Sequence, residues 1–161
     1  MTHSTKLPDA MPDIAKRTLL VVCDSHHCRF IAVGGHTLVE EEGLDAAELK
    51  HSERQSTKIG PKGGVGVGDE HHAEDHRLRE FAIAIAGRTS AIVVQRKIGE
   101  VYVSASSRLL LELRNHVPDN VKKVLQSSID ALFIKESAID ILLRFRPDLA
   151  KSVANLRDLE N

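Results

Sequence analysis

Thr18-Leu19-Leu20-Val21-Val22-Cys23, then Asp24-Ser25, then Cys28-Arg29-Phe30-Ile31-Ala32-Val33 closed by Gly34-Gly35 is the stretch that decides the fold. The first run is short, rich in β-branched residues and bounded by charge, the pattern of a buried strand. Asp24-Ser25 supplies turn chemistry. In the second run Cys28, Phe30 and Ala32 alternate with Arg29, Ile31 and Val33 before a two-glycine turn signal. His36 to Glu41 offers a third strand, so residues 18–41 predict an antiparallel meander.

Downstream, Leu44–Leu49 fits a helical turn, and 50–68 has no sustained period. Leu78, Phe81, Ile85 and Ile92 recur at helical spacing, predicting a long helix from about Glu70 toward Lys97, with Asp69 as its N-cap. Ala91–Val94 is β-branched enough to leave a strand there as an alternative. Glu100–Ser104 reads as a strand. Ser107 then caps an amphipathic helix that packs Leu109, Leu110 and Leu113 and leaves Arg108, Glu112 and Arg114 wet. Pro118–Lys123 fits a helix start, 124–134 holds another strand candidate, and Ser137–Phe145 is a helix with Ile139, Leu142 and Leu143 inward, ended by Pro147. Strands, a long helix, a strand and further helices make a single-domain α/β protein: a mixed β-sheet flanked by helices, with a long Gly-rich loop. The division that follows is a loose tail over 1–16, the domain over 17–146 and an amphipathic helical extension over 147–161.

The chain has 161 residues, 42% apolar and 28% charged, the size and balance of one soluble domain with one core. Aromatics are 3% with no Trp, so the core is aliphatic and base-stacking platforms are disfavoured. Lys plus Arg number 22 against 23 Asp plus Glu, which gives no global pull toward nucleic acid, so any RNA contact is local. The first residues lack the apolar run of a signal peptide, and no window approaches a bilayer-spanning length. The expectation is a cytoplasmic protein without membrane insertion. Its two cysteines, Cys23 and Cys28, match neither a thioredoxin pair nor a disulfide framework and read as reduced, structural thiols.

Five of the ten glycines, Gly60, Gly63, Gly64, Gly66 and Gly68, fall within nine residues. A stretch this poor in side chains brings backbone close to something or moves. Neither the Walker nor the Rossmann register fits, because Asp69 stands where each needs another residue. The approach is basic through Lys50, Arg54, Lys58 and Lys62. With Gly63 and Gly64, and with Arg108, Arg114, Lys122 and Lys123 downstream, these residues are candidates for a phosphate-contacting footprint on RNA.

The exit from this stretch carries Asp69, His72 and His76. On a helix, spacings of three and four put them on one face, where two imidazoles and a carboxylate could hold Zn and leave a position for water. Ala73 stands where a metalloprotease would carry Glu, and the plainer reading is a solvated helix start. Cys23, His26, His27 and Cys28 are a poorer set, since adjacent strand residues point to opposite faces. Ser104, Ser106 and Ser107 lack a nucleophile elbow and suit capping. No catalytic residue is assigned.

Val21-Val22-Cys23-Asp24 with Arg29-Phe30, a glycine-bearing loop, Asp75-His76 with Arg79-Glu80-Phe81-Ala82, and Val101-Tyr102-Val103-Ser104-Ala105 leading into Arg108-Leu109-Leu110-Leu111-Glu112-Leu113-Arg114 resemble the bacterial host attachment protein family. That family is similar to the central domain of archaeal and eukaryotic peptide-release factors and of the ribosome-rescue factor Pelota. The resemblance runs from about Arg17 to Arg146 and implies a mixed sheet with helices on both faces and a long loop before the long helix. In release factors that loop carries Gly-Gly-Gln, which serves ester hydrolysis; here Gly63-Gly64 is followed by Val65, and the nearby glutamine, Gln55, lies well before the pair. The resemblance therefore implies a non-enzymatic module for ribosomal or other RNA. Two alternatives stand beside it: a factor for attachment to host cells through protein contacts, and a metal-assisted hydrolase centred on Asp69, His72 and His76.

Overall fold

The computed structural model describes residues 2–49 and 69–150, with side chains described except at 69–72. Six strands form one sheet: β1 (His3–Lys6), β2 (Ile14–Cys23), β3 (His27–Gly35), β4 (Thr37–Asp45), β5 (Glu100–Ala105) and β6 (Leu125–Asp130), in the order β1-β4-β3-β2-β5-β6. β2, β3 and β4 are the predicted antiparallel meander, while β5 runs parallel to β2 and β6 parallel to β5. Parallel neighbours need a crossover. Helix α1 (Asp69–Arg96) precedes β5, and α2 (Ser107–His116) with α3 (Asp119–Lys122) lies between β5 and β6; α4 (Ala138–Phe145) follows. The architecture is the expected mixed α/β layer.

Helices cover both faces of the sheet, which is why Thr18–Cys23 is buried without a break. Leu19, Val21, Phe30 and Ala32 face Phe81, Ile85 and Ile92 of α1 and Leu109 and Leu113 of α2. The intervening Leu20, Val22, Ile31 and Val33 face Ile141, Leu142 and Phe145 of α4. Each fully buried Leu, Ile or Phe contributes about 1.5–3 kcal/mol by leaving water. The two faces thus share the work without a large aromatic content.

Two local expectations are corrected, and one alternative is set aside. Within the expected tail of 1–16, His3–Lys6 is a strand, β1, paired with β4, and Leu7 and Met11 are 2% and 3% exposed against the α4 side of the core. Ala91–Val94 is helix, because Ile92 and Val93 are buried in the core as the continuation of α1. The cap of α2 is Ser106, not Ser107, and its side chain makes no capping hydrogen bond. The Asp69 cap and the 151–161 part of the C-terminal extension lie outside what is described; within that extension Leu149 is buried against the α4 side.

α1 ends by a specific device. Lys97 takes a left-handed conformation (φ 53°), Ile98 N–H donates to Val93 O at 3.0 Å, and Lys97 N–H lies 3.4 Å from Val94 O. This is the paired 6→1 and 5→2 closure of a Schellman motif, with Ile98 buried as its hydrophobic member. Gly99 N–H then donates to Arg17 O and starts β5 alongside β2. At Gly43 a Cβ would stand 2.6 Å from the carbonyl oxygen of Cys28, so β4 passes β3 where only glycine fits.

Candidate functional site

The hairpin turn between β2 and β3 is held by Asp24. Its Oδ1 accepts from the N–H groups of His26 (2.8 Å) and His27 (2.6 Å). Burial alone would raise the pKa of this carboxyl; the two backbone donors, aided by the His27 and His26 charges, outweigh that and hold it below the ordinary Asp value. The His27 ring lies 3.5 Å from carboxylate oxygens of both Asp24 and Asp45. The turn is pinned from outside: Ala46 N–H donates to His26 O, and Arg77 of α1 reaches Ser25 O at 3.4 Å.

Beside this turn lies a cleft of about 460 Å³ between the helical residues 46–49 and the first half of α1. Ala46, Leu49, Ala73 and Phe81 give it an apolar floor; Glu74, His76, Arg77 and Glu80 give it a charged rim. Its walls include the last described residue before 50–68 and residues of α1 just after it. His76 Nε2 is 3.9 Å from Glu80, one turn on, and Arg77 is 3.9 Å from Glu74. Both are weak surface pairs.

Of the proposed RNA footprint, Lys58, Lys62, Gly63 and Gly64 lie outside the described residues. Arg108, at the start of α2, is ion-paired with Asp75 of α1, and Arg79 sits 3.9 Å from Glu112 in the same helix pair. Arg114 is separate, in the last turn of α2, where it shares with Lys122 the rim of an apolar cavity of about 110 Å³ behind α2 and α3. The structure therefore joins Arg114 to Lys122 but not to Arg108. For the proposed Zn site, only the His76 side chain is described, and it is exposed and turned to Glu80. Among the described residues no group of three or more His, Cys, Asp or Glu is placed to hold a metal ion.

The hairpin residues separate as strand geometry requires. Cys23 and Cys28 are buried with their sulfurs 2.8 Å apart, while His26 and His27 are exposed. Sequence reasoning missed Arg29. Its guanidinium forks onto both oxygens of Glu40 (2.8 and 2.7 Å) and donates to the carbonyls of Ile134 (2.8 Å) and Glu136 (2.7 Å). The Glu40 bonds raise its pKa despite partial burial, so it is a permanent cation bracing β3 against the approach to α4. Nothing local in the sequence marks a contact spanning more than a hundred residues.

The fold and cleft define an α/β body that presents a mixed apolar and charged recess at one end of its sheet. Residues 19–143 match the family described as "Protein required for attachment to host cells", and the chain belongs to that family. No curated protein matches the chain. Among solved structures, one described as an archaeal protein is similar at 11% identity and a TM-score of 0.41, over 85% of this chain and 41% of its own length. The chain thus spans less than half of that structure. Among the described residues no helix is long and apolar enough to cross a membrane.

Proposed function

We propose that this chain acts as a protein-binding module in attachment to host cells, without turning over a substrate. The observation that carries the reading is the family match over residues 19–143. The cleft beside the β2–β3 turn supports it, because an apolar floor inside a charged rim is the anatomy of a protein-recognition patch. The test is adherence of cells that make this chain to cultured host cells. Loss of the chain lowers adherence and its return restores it; unchanged adherence in its absence overturns the reading.

A second reading, binding to RNA or ribosomes, is favoured by one observation. Arg114 and Lys122 stand together at one rim, and among the described residues neither is ion-paired. Two basic side chains at one rim are the kind of pair that contacts phosphate, while Lys58 and Lys62 of the expected footprint lie outside the described residues. Ribosome co-sedimentation that falls steeply with salt and disappears in a K58E/K62E/R114E variant supports this reading. No sedimentation at low salt discards it.

A further inference from the structure

Cys23 and Cys28 are the two cysteines of the chain, and the fold sets them side by side. They are register partners at the turn end of the β2–β3 ladder, 0% and 1% exposed. Asp24 N–H donates to His27 O across the turn, so 24 and 27 form the hydrogen-bonded pair. The next pair inward, Cys23 and Cys28, is then of the non-hydrogen-bonded kind, in which opposed Cα atoms are about 4.5 Å apart and side chains closest. That spacing lies at the short end of what a disulfide accepts.

We propose that Cys23 and Cys28 form a site of reversible oxidation, at which peroxide converts the thiol pair to a cross-strand disulfide that locks the β2–β3 hairpin. Hydrogen peroxide is little larger than water, and opening of the adjoining turn, where His26 and His27 are exposed, would admit it to the pair before it admitted a bulky disulfide reagent. One sulfur attacks the peroxide: the O–O bond breaks, an S–O bond forms, and one water leaves with the thiol proton. The second sulfur attacks the sulfenyl sulfur: the S–S bond forms, the S–O bond breaks, and a second water carries away the other thiol proton. Two thiols lose two electrons and one peroxide becomes two waters. A dithiol that attacks either sulfur and exchanges through a mixed disulfide returns both thiols, so the oxidation is reversible.

Burial, reinforced by the neighbouring Cys23, pushes the Cys28 thiol up, so the pair is not a general nucleophile and reacts only under sustained oxidant. The lock would be felt outside the hairpin, since the turn it closes is the one held by Ala46 and Arg77 beside the cleft.

The experiment treats the folded full chain with hydrogen peroxide, then unfolds it, alkylates it and weighs it. The expected product has lost two hydrogens, takes up no alkylating reagent, and regains both thiols with dithiothreitol. Cleavage before Asp24 should yield two peptides joined through sulfur, and amide exchange over 24–28 should slow. Both thiols remaining alkylatable, oxygen adducts alone, or cross-links only between chains would overturn the proposal. Cys28→Ser should abolish the link; if that variant does not fold, mass and digestion of the parent decide alone.

Discussion

Replacing Arg29 by Met keeps most of the aliphatic stem and removes the four hydrogen bonds that tie β3 to Glu40 and to the carbonyls of Ile134 and Glu136. The pair is 22% and 26% exposed, so screening by water reduces its worth without abolishing it. Net contributions of about 1.5–3 kcal/mol for a hydrogen bond to a charged group do not add across one guanidinium, and the half-buried carbonyls can turn to water. The expected cost is about 3 kcal/mol, or a fall in Tm of roughly 6–12 °C for a chain of this size. Urea unfolding of R29M, E40Q and the double variant measures it. The cycle should give an Arg29–Glu40 coupling of about 1–2 kcal/mol, with the remaining loss in R29M coming from the carbonyls. Amide exchange should show α4 losing protection before β3 does. R29M lying within about 0.5 kcal/mol of the parent, with an unchanged m-value, would refute the view that this arginine mounts α4 on the sheet.

Gly87 sits inside α1 with open space where a Cβ would go, so Gly87→Ala should stabilise the protein by about 0.5–1 kcal/mol in urea unfolding. The Ser137 hydroxyl accepts from Asp140 N–H at 3.2 Å at the start of α4, whereas Ser106 caps α2 without a side-chain bond. Ser137→Ala should therefore cost about 1 kcal/mol and Ser106→Ala less than about 0.5 kcal/mol by the same measurement. Because the folded pKa of Asp24 is depressed, its stabilisation is complete above the ordinary carboxyl range near 4 and is lost as pH falls through the folded value. Asp24→Asn keeps an acceptor for the turn but cannot titrate, so its loss of stability as pH falls below about 4 should be less steep than the parent's.

The central meander, the long helix and the Leu109–Leu110–Leu113 face were legible because each has enough apolar residues at one period to name its element. β1 was not: His3–Lys6 is polar and fully exposed, and it is a strand only because β4 offers an edge. Leu7 and Met11 are lone large apolar side chains, each followed by a proline and an acid (Pro8-Asp9 and Pro12-Asp13), too few to name an element, and tertiary burial alone makes them core. At Ala91–Val94 the β-branched preference lost to tertiary packing, because Ile92 and Val93 are buried in the core from within α1. The candidate site was legible in part. His76 and Glu80 could be placed on one helix face, but the cleft they rim is completed by Ala46 and Leu49 from the segment after β4, and no local pattern announces that meeting. The opposition of Cys23 and Cys28 follows from a turn whose length the sequence shows, once the bond from Asp24 to His27 fixes which kind of pair they are.

The most direct test of a protein-binding role in attachment is adherence to host cells by cells lacking this chain, with either the parent or an H76A/E80K variant returned. Both side chains lie on the cleft rim and are exposed enough for the variant to fold with an unchanged Tm. The account predicts that the parent restores adherence and the folded variant does not. Full adherence without the chain, or equal rescue by both, would contradict it.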